Sequence, residues 1–271
     1  MRFGCCLNMV AEDAAGIGTN KIGALAALGY DYAELLLCGL AKLPEEAFWQ
    51  VQNELTQSGL RCEACNGFFP TDFRLTGPDI KKDQIREYIA RALDRAGALG
   101  VERVVFGSGP AKSVPSGFPV SEGWKQVAEM LHDAGEIARQ YQILIAIEPL
   151  RRQESNFINT YQEGCRLAKD VAHPNVKSLV DFYHLVEEQE PVKHLREDGA
   201  LLIHVHFASG HKRLYPPQDL PAEVCGDFFE ALRDIGYDGR ISVEAYTQNF
   251  EADAAAALHF LREHAVGPQV G

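Results

Sequence analysis

Positive charge is scarce in this sequence: 26 Lys and Arg stand against 38 Asp and Glu, a net charge of −12, and no Lys/Arg cluster stands out. Such a chain repels polyanions and has no patch with which to neutralise phosphates, so no nucleic-acid partner is expected. No apolar stretch reaches membrane-spanning length, and no membrane association is expected either. The seven cysteines are an odd number, with Cys5 and Cys6 adjacent, which does not make a disulfide framework. The opening "MRFGCCLNMV" lacks a signal-peptide pattern. Together these absences lead us to expect a cytoplasmic protein with free thiols. Gly, Ser and Pro are not pooled into linker-like tracts, so nothing divides the chain, and residues 1–271 read as a single domain.

What is present is an ordinary globular composition, 46% hydrophobic and 24% charged. A unit recurs in which an amphipathic helix ends near Gly and a short apolar strand follows at once. "ALAALGYDYAELLL", "RALDRAGALGVERVVFG" and "FFEALRDIGYDGRISVEAY" share that shape, and Gly29, Gly100 and Gly236 fall where a helix C-terminus needs a left-handed residue. Helical periodicity runs through Ile85, Tyr88, Ile89, Ala92, Leu93, Ala96 and Leu99, and again through Trp124, Val127, Leu131, Ala134 and Ile137. Strands are predicted near 2–8, 32–37, 60–66, 102–107, 143–148, 176–181, 201–207 and 240–245. Eight strands alternating with helices give a parallel sheet covered by helices, and the count favours a closed (β/α)8 barrel over an open doubly wound sheet. Gly16 and Gly18 read as loop glycines, because no strand stands directly before them as a dinucleotide fingerprint requires. The long loops at 107–120 and 207–221 are candidates for functional insertions.

In such a barrel the active site lies at the C-terminal ends of the strands. Glu148 closes "ILIAIE", Asp181 closes "VKSLVD", His206 lies near the end of "LLIHVH" and Glu244 near the end of "RISVEA". Each alone reads as a helix cap or salt-bridge partner. Four on consecutive strands, five to eight, can converge near the barrel mouth, where three carboxylates and an imidazole repel one another without a cation. An oxygen-rich set with one His suits Mn²⁺, Mg²⁺ or Co²⁺ better than a thiolate zinc site. His204, of the same parity as His206, reads as a core histidine one layer deeper. His184 is free to cap the next element or to contact substrate. Cys62 and Cys65 form a CxxC string without a second pair, which carries little weight as a zinc or redox motif.

These residues resemble those of the xylose-isomerase-like TIM barrels, a superfamily of sugar isomerases and epimerases that also contains endonuclease IV. The similarity covers nearly the whole chain, and the nearest pattern is that of the ketose 3-epimerases acting on D-tagatose and D-psicose. The resemblance implies one divalent metal ion, Mn²⁺ foremost with Mg²⁺, Co²⁺ or Zn²⁺ as alternatives, held by Glu148, Asp181, His206 and Glu244. It also implies substrate contacts from Glu154, six residues after Glu148, from His184, three after Asp181, and from Arg213. Arg213 stands seven residues after His206, one more than the pattern, with Lys212 at the nearer place; a one-residue insertion accounts for it. The family's aromatic wall after the first strand has no counterpart in "LNMVAED". In "FGSGPAKSVPSGFP" Gly107, Ser108 and Gly109 read as a turn rather than a phosphate cradle, since no neighbouring helix N-terminus is expected to complete an anion site. Xylose isomerase's second metal has no ligands here. The histidines that endonuclease IV draws from strands two to four are missing from "AELLL", "EACNGFF" and "RVVFGSG".

The chemistry implied is proton transfer at a carbon next to a carbonyl through an enediolate, with a small sugar or hydroxy-keto substrate. Glu148 and Glu244 would act as bases on opposite faces, which gives inversion. Metal-dependent lyases of the inosose or 3-dehydroshikimate dehydratase type and hydroxypyruvate-type isomerases share the site and remain alternatives. A non-catalytic sugar-binding barrel is weaker, because two opposed carboxylates exceed what binding requires. The family also leads us to expect a homo-oligomer, a dimer or tetramer.

Overall fold

The structure, a computed structural model, describes residues 1–210 and 212–266. Eight parallel strands close on themselves in sequence order: β1 (Arg2–Cys6), β2 (Tyr32–Leu36), β3 (Arg61–Asn66), β4 (Arg103–Phe106), β5 (Leu144–Ile147), β6 (Val176–Asp181), β7 (Leu202–Phe207) and β8 (Arg240–Val243). The β1–β8 pairing, from Arg2↔Arg240 to Cys5↔Val243, completes the cylinder, so the expected (β/α)8 barrel is the observed one. Helices follow the strands on the outside, the longest being Lys82–Ala98, Val120–Gln140 and Phe250–Val266. None of the described helices is long and apolar enough to cross a membrane.

Sequence periodicity dictates which side of each helix is covered. Ile85, Tyr88, Ile89, Ala92, Leu93 and Ala96 are the buried face of Lys82–Ala98, and Val127, Leu131 and Ala134 that of Val120–Gln140. Gly29, Gly100 and Gly236 take φ of 82°, 72° and 65°, the left-handed conformation that stops a helix before the next strand.

Two cores result from the alternation of side chains along each strand. The large one lies between strands and helices and includes Val104, Phe106, Ile145, Ile147 and Val180. The small one, Val105, Ala146 and Leu179, fills the barrel on its β4–β6 side. Opposite it the interior is polar, with Tyr32, Glu34, His204 and Ser242 all fully buried. Tyr32 fits inside because β1 has a glycine beside it: a Cβ on Gly4 would stand 2.3 Å from the ring.

Two register shifts shape the lining. One residue of β3, Glu63, is extra opposite the Ala33/Glu34 step, and one residue of β7, Ile203, is extra opposite Ser178/Leu179. After the second bulge His204 pairs with Leu179 and His206 with Asp181, which sets both imidazoles in the interior. At the N-terminal end Glu63 is buried and bonded to Arg2 and Arg240, and Arg240 also reaches Glu102. This end of a barrel serves stability rather than chemistry.

Candidate metal centre and active site

β5 and β8 stop one residue short of Glu148 and Glu244, but the backbone stays tied to the neighbouring strand. Glu148 N donates to Phe106 O at 3.0 Å, and Glu244 N to Phe207 O at 3.1 Å. Asp181 is the last residue of β6, and His206 lies one before the end of β7. Four consecutive strands therefore deliver Glu148, Asp181, His206 and Glu244 to one level of the mouth. One ligand atom from each lies within 4.8 Å of all the others, and the four residues are only 0–7% exposed. His206 Nδ1 is 2.9 Å from Glu148 Oε1 and 3.0 Å from Glu244 Oε2. Glu148 needs a glycine across from it, since a Cβ on Gly107 would lie 2.1 Å from its Oε2.

Electrostatics express the crowding. Burial, reinforced by Glu244, pushes the Glu148 carboxyl up. Burial also pushes Asp181 up, to about 7, against the pull of Arg213. Burial would raise Glu244 as well, but His206 and Arg213 bring it down to about 2. His206 is held well above an ordinary imidazole, because Glu244, Glu34 and Glu148 outweigh its burial. Three carboxylates and one imidazole form the donor set of a hard divalent cation, and their mutual approach fits one such ion.

Behind the centre stands Glu34, which the strand-end pattern misses because it sits in the middle of "YAELLL". Its Oε1 accepts from His206 Nε2 at 2.9 Å and its Oε2 from His204 Nε2 at 2.9 Å, and Ser242 Oγ donates to the same Oε2 at 2.5 Å. His204 is thus the hydrogen-bonded core histidine its parity suggested. With Nε2 engaged, His206 presents Nδ1 to the carboxylates, an arrangement that orients a ligating imidazole. Cys6 Sγ also approaches His206 Nε2, at 3.8 Å. Burial raises its thiol well above the ordinary range. Cys62 and Cys65 are likewise buried, 3.8 Å apart, and burial keeps Cys65 a thiol.

Glu154, His184 and Arg213 gather on the β5–β7 side. Arg213 Nη2 contacts Glu244 Oε2 and lies 3.3 Å from Asp181 Oδ2, while its Nε donates to Glu244 O at 3.1 Å. Its φ of 51° is left-handed, a conformation non-glycine residues rarely take, and is fixed by hydrogen bonds of 2.8 Å from its own N–H to Gly210 O and from Tyr246 N to its carbonyl. Tyr183 lies under the guanidinium, 5.0 Å from ring centroid to Cζ. His184 Nδ1 accepts from Arg151 N at 3.3 Å, so the proton rests on Nε2, 3.5 Å from Asp181 Oδ2 and without a hydrogen-bond partner. Burial, then Arg213, holds this imidazole well below its usual range and neutral. Glu154 Oε1 accepts from Arg151 Nε at 2.8 Å and lies 3.9 Å from Arg213 Nη1.

The 107–120 loop differs from expectation. A single-turn helix, Gly109–Lys112, begins right after Ser108, where no helix start was expected. The turn buries Lys112 completely, and its Nζ donates to Glu148 O at 2.6 Å, fastening the end of β5. Burial pushes that ammonium down to about 7. Nothing in "GPAKSVP" announces this contact, since exposed lysines in loops read the same way. Asn66, which donates to Glu244, and Asn8, which accepts from Asn66, were also missed, because amides near strand ends are common turn residues.

A family model described as xylose isomerase-like TIM barrel matches residues 22–264. A D-psicose 3-epimerase of Ruminiclostridium cellulolyticum is 31% identical over 126 residues, and that alignment spans 46% of this chain and 42% of the relative, less than half of either. An L-ribulose 3-epimerase of Methylomonas sp. is 28% identical over 250 residues, spanning 87% and 81% of the two chains. Among solved structures, D-psicose 3-epimerase with D-tagatose from Clostridium cellulolyticum superposes with a TM-score of 0.83 at 22% identity, over 98% of this chain and 99% of the other. At that identity the superposition speaks for the fold.

Proposed function

The chain belongs to the xylose isomerase-like TIM barrel family, and on that premise we propose that it is a divalent-metal-dependent ketose 3-epimerase. The carrying observation is the pair Glu148 and Glu244, which approach His206 Nδ1 at 2.9 and 3.0 Å from β5 and β8. Their environments push them apart: Glu148 is raised, mainly by burial, while Glu244 is held at about 2. From the two strands these carboxylates reach one volume, so that one can take a proton from a substrate carbon while the other returns one.

Glu148, Asp181, His206 and Glu244 hold the cation, which when bound withdraws negative charge developing on the substrate as a Lewis acid. Mn²⁺ is the ion we assign, on the strength of the carboxylate-rich set. One carboxylate of the pair removes the proton from the carbon beside the carbonyl and the other returns one to the opposite face, both exchanging with solvent between turnovers; the reverse reaction exchanges their roles. Arg213 and the Nε2–H of His184 donate to substrate oxygens, and Glu154 accepts from a hydroxyl. With these residues nearly all buried, bulk water is kept from the carbanionic stage.

The same reading takes 1–271 as one domain and places the protein in the cytoplasm, where its seven free thiols stay reduced. It has no nucleic-acid partner, in keeping with the net charge of −12. It is a dimer or tetramer, for which exposed Trp49, Val120 and Tyr246 offer apolar contact material.

The test is incubation of the Mn²⁺-loaded protein with a ketose panel that includes D-psicose, D-tagatose and D-fructose in deuterated water. Epimerisation with one solvent deuteron per turnover is expected. Loss of water identifies a lyase instead, and near-normal turnover by Glu244→Gln sinks the two-carboxylate scheme.

A further inference from the structure

Arg151 follows Glu148 by three residues, in the turn after β5. Its backbone closes that turn: the carbonyl accepts from Glu154 N at 2.9 Å and Ser155 N at 3.2 Å, while its N–H donates to His184 Nδ1 at 3.3 Å. The side chain spans two carboxylates. Nε donates to Glu154 Oε1 at 2.8 Å, and Nη1 donates to Glu187 Oε2 at 3.0 Å, on the helix Phe182–Glu187. The guanidinium also lies 5.1 Å from the centroid of the Tyr183 ring, the ring that Arg213 approaches at 5.0 Å. One planar fork thus makes both bonds and packs on the aromatic, which a lysine ammonium cannot do. Among the described residues these side-chain partners include none of Glu148, Asp181, His206 and Glu244.

Glu154 Oε1 stands between two guanidinium groups. It is bonded to Arg151, whereas Arg213 Nη1 is 3.9 Å away, beyond hydrogen-bond reach. The rest of the Arg213 fork is engaged, Nη2 with Glu244 and Asp181 and Nε with Glu244 O. Nη1 is therefore the end that faces Glu154. A carboxylate and a guanidinium this close form a strong charge-assisted bond unless a competitor holds one of them. Arg151 is that competitor, and Glu187 and Tyr183 keep it from following Glu154 across. Resting on the ketose 3-epimerase reading, in which Glu154 and Arg213 contact substrate oxygens, we propose that Arg151 is a positioning residue that holds Glu154 off Arg213. An acceptor and a donor stay apart and open to the sugar. Without Arg151 the two close on each other, and the substrate has to break their bond to enter.

The experiment compares the Mn²⁺-loaded wild type, Arg151→Met, Glu154→Gln and the double variant on D-psicose. The Arg151 side chain is 26% exposed, so methionine is expected to be accommodated. In Arg151→Met the KM is expected to rise roughly ten- to a hundredfold, the scale of hydrogen bonds to charged groups. The kcat and the Mn²⁺ affinity should change little, since no metal-binding side chain is touched. In the Glu154→Gln background, where no charge is left for Arg213 to capture, the same substitution should cost much less. An equal cost in both backgrounds overturns the proposal and leaves Arg151 as a support for the turn alone. Arg151→Lys keeps a cation for Glu154 and should retain most of the affinity; a KM as high as that of Arg151→Met overturns the proposal. The crystal structure of Arg151→Met separates it from the reading on which it rests. Glu154 Oε1 is expected at about 3 Å from Arg213 Nη1 whether or not any ketose is turned over. A separation still near 3.9 Å overturns the proposal. Absence of ketose turnover by the wild type, with Glu154 moved onto Arg213 in the variant, fails the epimerase reading alone.

Discussion

Glu34 and His206 meet at 2.9 Å from β2 and β7, strands separated in the sheet by β1 and β8, so the contact crosses the barrel interior. Burial would neutralise Glu34, yet His206 and His204 hold its carboxyl well below the usual range and keep it ionised. It therefore fixes the proton of His206 on Nε2. Replacing it in Glu34→Gln removes the acceptor charge and is expected to weaken Mn²⁺ affinity about 10- to 100-fold while the far-ultraviolet circular dichroism stays unchanged. Calorimetric titration of the apo-protein measures this, and an unaltered affinity would show that Glu34 does not position the imidazole.

Gly107 faces Glu148 so closely that one methyl group is too many. In Gly107→Ala the new Cβ would sit 2.1 Å from Glu148 Oε2, and the carboxylate must swing away. Turnover in the proposed epimerisation is expected to fall by at least about 100-fold, the cost of misplacing by an ångström the carboxylate to which that proposal gives a proton-transfer role. Thermal unfolding in the presence of chelator should move little. A fully active alanine variant would refute the crowding argument.

Removing the metal should destabilise the barrel reversibly. Three carboxylates then face one another, balanced in part by His206 and Arg213. Adding Mn²⁺ to about a hundred times its Kd is expected to restore about 2.7 kcal/mol by mass action. Asp181→Asn should gain much less from the same addition. Identical melting curves with chelator and with Mn²⁺ would count against a cation in this centre.

At the other end of the barrel Glu63 is buried between Arg2 and Arg240. Burial opposes its ionisation, but the two guanidinium groups win and hold it below the ordinary carboxylate range. A depressed acid contributes stability at pH above its unfolded value, and that contribution disappears as pH falls through the folded one. Glu63→Gln should therefore cost about 2 kcal/mol at pH 7, the scale of hydrogen bonds to charged groups, and progressively less in acid. Urea midpoints of both proteins at pH 7 and in the acid limb check the sign; a constant difference would contradict it.

Much of this architecture was legible because its signals are local. Apolar runs bounded by Gly, Pro, Asn or Asp located all eight strands, and the carboxylates of Glu148, Asp181 and Glu244 stood out where such runs stop. The predicted strands at 143–148 and 240–245 overran by a residue or two because the ladder ends while the chain is still extended. Glu34 carried the same signal, a charge within an apolar run, but its meaning depends on which histidine lies across the barrel. Lys112 and Asn66 depend on distant contacts as well, with the carbonyl of Glu148 and the carboxylate of Glu244. Residue type alone does not separate them from solvated loop side chains.

The pairing of Arg2 with Arg240 has a consequence during synthesis. β1 is the first strand to leave the ribosome, yet half of its hydrogen-bonding edge waits for β8, the last. At about 5–20 residues per second that wait is on the order of tens of seconds. For its duration Phe3 and Cys5 flank an open edge that can pair with another nascent chain. The interval of greatest aggregation risk is thus set by translation speed, and slowing elongation should raise the protein's demand for chaperones without altering its folded stability.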